Sequence, residues 1–180
     1  MDKMDIRTLE LSDQDAFEQF QALLLTEKDM GNRFIQSKKV HDFPSFVKKS
    51  RQLEKVTDNP NWSTVTSYYG FINGEIAGKI SCRWQLEKGD LARVGGHIGY
   101  ITSPKFRRQG IMTSLLHFAF EQYQDKGIES VLITAHADNL PSRKTIEKVG
   151  GQLETIIRLE DDFPDPRMAG QKLARYWVQL

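Results

Sequence analysis

Apolar residues recur along the chain with two alternating periods, and these predict the order of elements. A short strand around Ile6–Thr8 opens the chain, and Ser12 followed by Asp15 resembles a capping box. Phe17, Phe20 and Leu24 then recur at helical spacing, with Ala16 and Leu23 beside them. Residues 45–56 read as a basic amphipathic helix, and Thr57–Asn61 as a loop. Thr66–Ile72 is rich in β-formers, Asn73-Gly74 is a favoured two-residue turn, and Glu75–Leu86 is the returning strand. After the loop Glu87–Asp90, His97–Thr102 is a strand stopped by Pro104.

The second half alternates strand and helix. Ile111, Met112, Leu115, Leu116, Phe118, Ala119 and Tyr123 give a wide apolar face to a helix over 109–126, with Gly127 as its C-terminal stop. Ser130–Ala135 is a continuous apolar strand that suits a central position. Pro141 fits the first turn of a short helix ending at Val149, stopped by Gly150-Gly151. Leu153–Leu159 and Leu173–Val178 close the chain as strands. This order predicts one layered α/β domain spanning residues 1–180.

Composition narrows the classes. The chain has 180 residues, 39% hydrophobic and 27% charged, with a formal net charge of +1. A globule with a real core is expected, and near-neutrality argues against nucleic-acid binding by bulk charge. The single cysteine, Cys82, leaves no disulfide framework and no multi-cysteine zinc site; it reads as a small buried residue. The four histidines show no metal-ligand spacing, so no metal is expected. The polar opening and the lack of a long apolar run predict a cytosolic protein without a membrane span.

One stretch carries chemistry. A strand ends at Ser103-Pro104, a basic turn follows (Lys105-Phe106-Arg107-Arg108-Gln109-Gly110), and a helix starts at once. The first N–H groups of a helix lack intrahelical partners, and its dipole adds partial positive charge. With two flanking arginines and a glycine that blocks nothing, this makes a phosphate or pyrophosphate site. A solvated basic turn is the plainer alternative. The loop is not a Walker A motif, and Gly95, Gly96 and Gly99 precede a strand, so they are not a dinucleotide fingerprint.

The segment Arg107-Arg108-Gln109-Gly110-Ile111-Met112 resembles the Arg/Gln-x-x-Gly-x-Gly/Ala signature of the GNAT superfamily of acyl-CoA-dependent N-acetyltransferases. Asn139-Leu140-Pro141-Ser142 and Lys148-Val149-Gly150 are similar to that family's later strand–Asn–helix–Gly region, and the order of elements matches over residues 97–151. The resemblance implies a mixed, mostly antiparallel sheet with helices on both faces. It implies acetyl-CoA as acetyl donor, with a small-molecule or peptide amine as acceptor and a homodimer as one possible assembly. By the same resemblance, the amides of Arg108, Gln109, Gly110, Ile111, Met112 and Thr113 would cradle the pyrophosphate, and the backbone of Ile101 and Thr102 would pair with the pantetheine arm. Asn139 would bond the pantetheine and Ser142 would sit near the sulfur, although either could equally be an ordinary residue of a helix start.

Two departures stand out. Met112 fills the second small position, and Ile146 stands where many members carry a tyrosine general acid. A positioned acid contributes ~10²–10⁴-fold, so its loss favours either slower chemistry or a non-catalytic acyl-CoA-binding module. His97 is the first candidate base, with a purely structural strand-end role as its alternative; His136 is second, His117 looks peripheral, and His41 lies in a segment without a readable pattern. The acceptor groove is expected from residues 25–65, 86–95 and 160–171. The last of these carries Glu160, Asp161, Asp162 and Asp165, which could attract a cationic amine or simply be solvated.

Overall fold

The computed structural model describes residues 2–180, with Met1 outside. The chain forms β1 (Asp5–Arg7), α1 (Gln14–Asp29), α2 (Phe43–Leu53), β2 (Val65–Ile72), β3 (Glu75–Arg83), β4 (Ile98–Thr102), α3 (Ile111–Asp125), β5 (Ser130–His136), α4 (Leu140–Lys148), β6 (Gln152–Arg158) and β7 (Lys172–Gln179). Strands β1-β2-β3-β4 make one antiparallel sheet and β5-β7-β6 a second. None of the helices among the described residues is long and apolar enough to cross a membrane.

Both faces are covered by helices. Phe17, Phe20 and Leu24 of α1 and Phe43 and Val47 of α2 pack on Tyr69, Phe71 and Ile76. On the other face, Leu115, Leu116, Ala119 and Tyr123 of α3 and Ile146 of α4 pack on Ile80, Cys82, Ile98, Val131 and Ile133. Gly70 and Gly78 are cross-strand partners beneath α3. A methyl at Gly78 would meet Leu115 at 3.0 Å and Ile111 at 3.3 Å, so the pair lets the helix approach the sheet closely.

Local signals explain the element boundaries. Asn73 and Gly74 both take the positive φ that a tight hairpin turn needs. Helix α2 starts at Phe43, not Ser45, because Asp42 caps it by accepting from the Ser45 amide. The first helix is also capped earlier than expected. The reciprocal box uses Glu10 and Asp13, not Ser12 and Asp15. Asp13 is held by a bidentate Arg7 (2.7 and 2.9 Å) and accepts the Glu10 amide; that arrangement lowers its carboxyl pKa, the Arg7 bonds first.

The two sheets meet at one place. The His97 amide donates to the Leu132 carbonyl (2.8 Å), and the Leu132 amide donates to His97 Nδ1 (2.9 Å). From there β4 and β5 run the same way and part, so that Ile101 and His136 line opposite walls of a cleft. Gly96 permits the contact. Its backbone (φ 66, ψ −174) lies in a region essentially closed to residues with side chains, and a Cβ there would sit 2.7 Å from the Leu132 carbonyl oxygen. Gly96→Ala is therefore expected to cost at least ~3 kcal/mol. That should appear as a melting temperature lower by about 10 °C; an unchanged melting curve would show that the strands do not need this approach.

Candidate functional site

The turn before α3 is shaped to offer amides. Arg108 (φ 60) and Gly110 (φ 75) both lie in the left-handed region, an unusual conformation for an arginine. Successive N–H groups in such a turn form an anion-binding nest. Among the described residues, the backbone N–H groups from Arg108 to Thr113 have no intramolecular acceptor; the first bonded amide of the helix is Ser114, on Gly110. No atom lies within 4 Å of where a Gly110 Cβ would be, so the approach is open. Ile111 and Met112 point into the core, which leaves their amides as their contribution. Met112 in the second small position is thereby accommodated.

Arg107 does not flank this nest as a free cation. It forms an ion pair with Glu27 of α1 at 2.6 Å and holds that carboxyl below its usual pKa range. Lys105 is likewise paired, with Glu75. The site's positive character thus comes from the amides, the helix end and the exposed Arg108.

The cleft between β4 and β5 has a volume of about 540 Å³ and is closed by segment 34–37, Val94-Gly95 and residues 163–168. All three expected acceptor segments contribute to it. The phase of β4 decides which of its backbone groups face the opening. The Arg83 amide bonds the His97 carbonyl and the Ser103 amide bonds the Ala77 carbonyl, so Gly99 and Ile101 between them turn their backbone to β3. Tyr100 and Thr102 turn theirs to the cleft. This corrects the expectation for Ile101, whose side chain lines the cleft while its backbone is engaged with Lys79.

The sequence model of the acetyltransferase (GNAT) family matches residues 34–151, well over half of the chain. The chain belongs to the GNAT family. Among curated proteins, none matches this sequence significantly. Solved structures share the fold along nearly the whole chain. One is the Salmonella typhimurium acetyltransferase that modifies the N-terminal serine of ribosomal protein L7/L12, with a TM-score of 0.71, 19% identity, and 98% of this chain and 95% of that one covered. Another is the microcin C7 self-immunity acetyltransferase MccE in complex with acetyl-CoA and AMP, with a TM-score of 0.69, 18% identity, and 100% and 94% covered. A third is Mycobacterium smegmatis RimJ in complex with CoA-disulfide, with a TM-score of 0.68, 15% identity, and 98% and 81% covered.

Within this GNAT fold, the polar residues separate into structural and open groups. His97 belongs to the first, which corrects its assignment as base. It is 5% exposed, its Nδ1 is taken by the Leu132 amide, and its ring meets Tyr123 edge-on. Burial, then the Arg83 charge, pushes its pKa down to about 4. Asn139 caps α4, its Oδ1 accepting from the Ser142 amide at 3.3 Å, while also lining the cleft. Ile146 is buried in the core.

His136 is different. It lines the cleft beside Phe34, and its Nδ1 is buried without a partner. Burial, then Arg33, holds its pKa below the ordinary value. Sequence reasoning missed Tyr100. Its hydroxyl lies 2.7 Å from Ser142 Oγ at the start of α4, and burial raises its pKa to about 12. Forty-two positions separate the two residues, and no local pattern joins them. Nor do the acidic residues of the late loop form a free patch: Glu160 pairs with Arg93, Asp161 with Arg158 and Asp165 with Arg167. Among the described residues no three His, Cys, Asp or Glu cluster as metal ligands.

His97 yields a stability prediction. Its folded pKa of about 4 lies below the ordinary 6.5, so the unfolded chain takes up the proton first. The neutral ring's contribution is complete above pH 6.5 and is lost as pH falls toward 4, by up to about 3 kcal/mol. His97→Asn keeps an acceptor for the Leu132 amide but does not titrate. Denaturant unfolding between pH 7 and 4 should therefore show a shallower fall for the variant, whereas parallel curves would mean the ring titrates normally.

Proposed function

We propose that this chain is an N-acetyltransferase that moves an acetyl group from acetyl-CoA to a primary amine by direct attack. The observation that carries this reading is the open row of amides from Arg108 to Thr113, in the turn that follows strand β4, whose residues Ile98–Ile101 line the cleft. Those amides suit a pyrophosphate. The outward backbone of Tyr100 and Thr102 suits the amides of the pantetheine arm, paired as by a neighbouring strand. Acetyl-CoA supplies the thioester that is attacked.

In the reaction the amine nitrogen bonds the thioester carbonyl carbon, the carbon–sulfur bond breaks, and the amine's proton passes to a base. His136 Nδ1 is our choice of base. It is unpartnered on a residue that lines the cleft, and its lowered pKa keeps it neutral at pH 7. Tyr100 and Ser142 replace the missing acid. At a pKa of about 12, Tyr100 stays protonated; either hydroxyl of the Tyr100–Ser142 pair can be the donor, and when Tyr100 donates to Ser142 Oγ the serine hydroxyl is free to donate to the departing sulfur. A thiol of pKa about 8.5 needs a hydrogen bond more than full protonation, so this pair suffices where Ile146 cannot act.

Two measurements test the reading. Gly110→Glu puts a side chain and a negative charge at the amide row, and calorimetric titration should show acetyl-CoA binding lost; unchanged affinity would remove the phosphate site. His136→Gln should lower kcat by ~10²–10⁴-fold while acetyl-CoA affinity is kept. With burial holding the His136 pKa down, the wild-type acid limb falls below pH 6.5. A variant with unchanged kcat would exclude this base.

A further inference from the structure

Strand β3 alternates. Ile80 and Cys82 enter the core under α3, which turns Lys79, Ser81 and Arg83 to the cleft side. Several cations around the cleft are neutralised: Arg33 by Asp138, Arg93 by Glu160, and Arg167 by Asp165. Arg83 spends one guanidinium nitrogen on the Gly95 and Gly96 carbonyls. Among the described residues neither Arg83 nor Lys79 has a carboxylate, and Lys79 lacks even the carbonyl partners of Arg83. Lys79 has no hydrogen-bond acceptor among them, only the Tyr69 ring 5.7 Å from its Nζ. Burial and then the Arg83 charge lower its pKa, the mark of an ammonium lacking a counter-charge.

A half-buried, unpaired cation is costly unless something completes it. Lys79 lines the reaction cleft and also a second, apolar pocket of about 350 Å³ walled by Phe17, Phe20, Leu24 and Phe46. His136, whose Nδ1 is also unpartnered, lines the same cleft. The cleft therefore offers a place for an amine's proton, a place for an anion and a place for an apolar arm.

We propose that Lys79 anchors an anionic group, a carboxylate or a phosphate, carried by the acceptor amine, and that the adjoining pocket receives the acceptor's apolar arm. This rests on the acetyltransferase reading, but its test does not need turnover alone.

Matched probes separate the contributions. Phenylalanine against phenethylamine tests a carboxylate, and O-phosphoethanolamine against ethanolamine a phosphate. Thiol release gives kcat/KM, and saturation-transfer NMR on the CoA-saturated protein gives binding without chemistry. At least one anionic probe should exceed its neutral partner about tenfold or more in both readouts. Lys79→Met should bring that pair to near parity by raising KM, and Lys79→Arg should restore the preference; circular dichroism checks folding. Equal response to both members of both pairs, a preference kept in Lys79→Met, or no probe binding at all would overturn the proposal. Absence of acetyl-CoA binding by calorimetry, with anion binding still dependent on Lys79, would overturn the acetyltransferase reading instead.

Discussion

The cleft depends on a backbone contact between β4 and β5 at their near ends. His97 and Leu132 exchange two hydrogen bonds, one of them through the imidazole, and the strands then separate. Gly96 makes the approach possible, because any side chain would strike the Leu132 carbonyl. Tyr123 locks the same point from α3, its hydroxyl donating to the carbonyls of Arg83 and His97. Beyond this clasp the strands leave their facing backbone groups unpaired, which is costly inside a protein unless a ligand or water completes them. The open edge of β4 and the free amides before α3 are thus two parts of one unmet hydrogen-bonding demand.

Charge around the cleft follows the same logic of pairing. Several cations are held by a carboxylate, as with Arg107 on Glu27 and Arg7 on Asp13. Exposed pairs, such as Arg93 on Glu160, are worth at most about 1 kcal/mol each. Their effect here is mainly to cancel charge, leaving the helix end, Arg108, Arg83 and Lys79 as positive features a ligand would meet. His97 and His136 make the parallel contrast among neutral groups. Both are desolvated and both have depressed pKa values, yet the Nδ1 of His97 is taken by the Leu132 amide and that of His136 has no partner.

Much of the frame was legible in the sequence because periodicity is local. The α3 face, the Asn73-Gly74 turn and the β5 core run fell within a few residues of their observed places. The open amides before α3 were legible too, since a strand, a glycine-bearing turn and a helix start in that order leave amides unpaired wherever they occur. What stayed hidden depends on distant partners. Nothing near Gly96 signals Leu132, so the burial of His97 could not be read. Nothing beside Tyr100 points to Ser142, which α4 brings to it from forty-two positions away. Nothing beside Lys79 signals the pockets it lines, because segment 34–40 has no regular pattern. The Ser12–Asp15 box failed for the same reason: Arg7 across the turn selected Asp13.

Backbone hydrogen exchange with and without acetyl-CoA tests the central claim most directly. The account predicts that His97 and Leu132 amides exchange slowly in both states, whereas Arg108–Thr113, Tyr100 and Thr102 exchange quickly alone and slow down with ligand. Fast exchange at His97 and Leu132 in the free protein, or ligand protection that bypasses Arg108–Thr113, would contradict it.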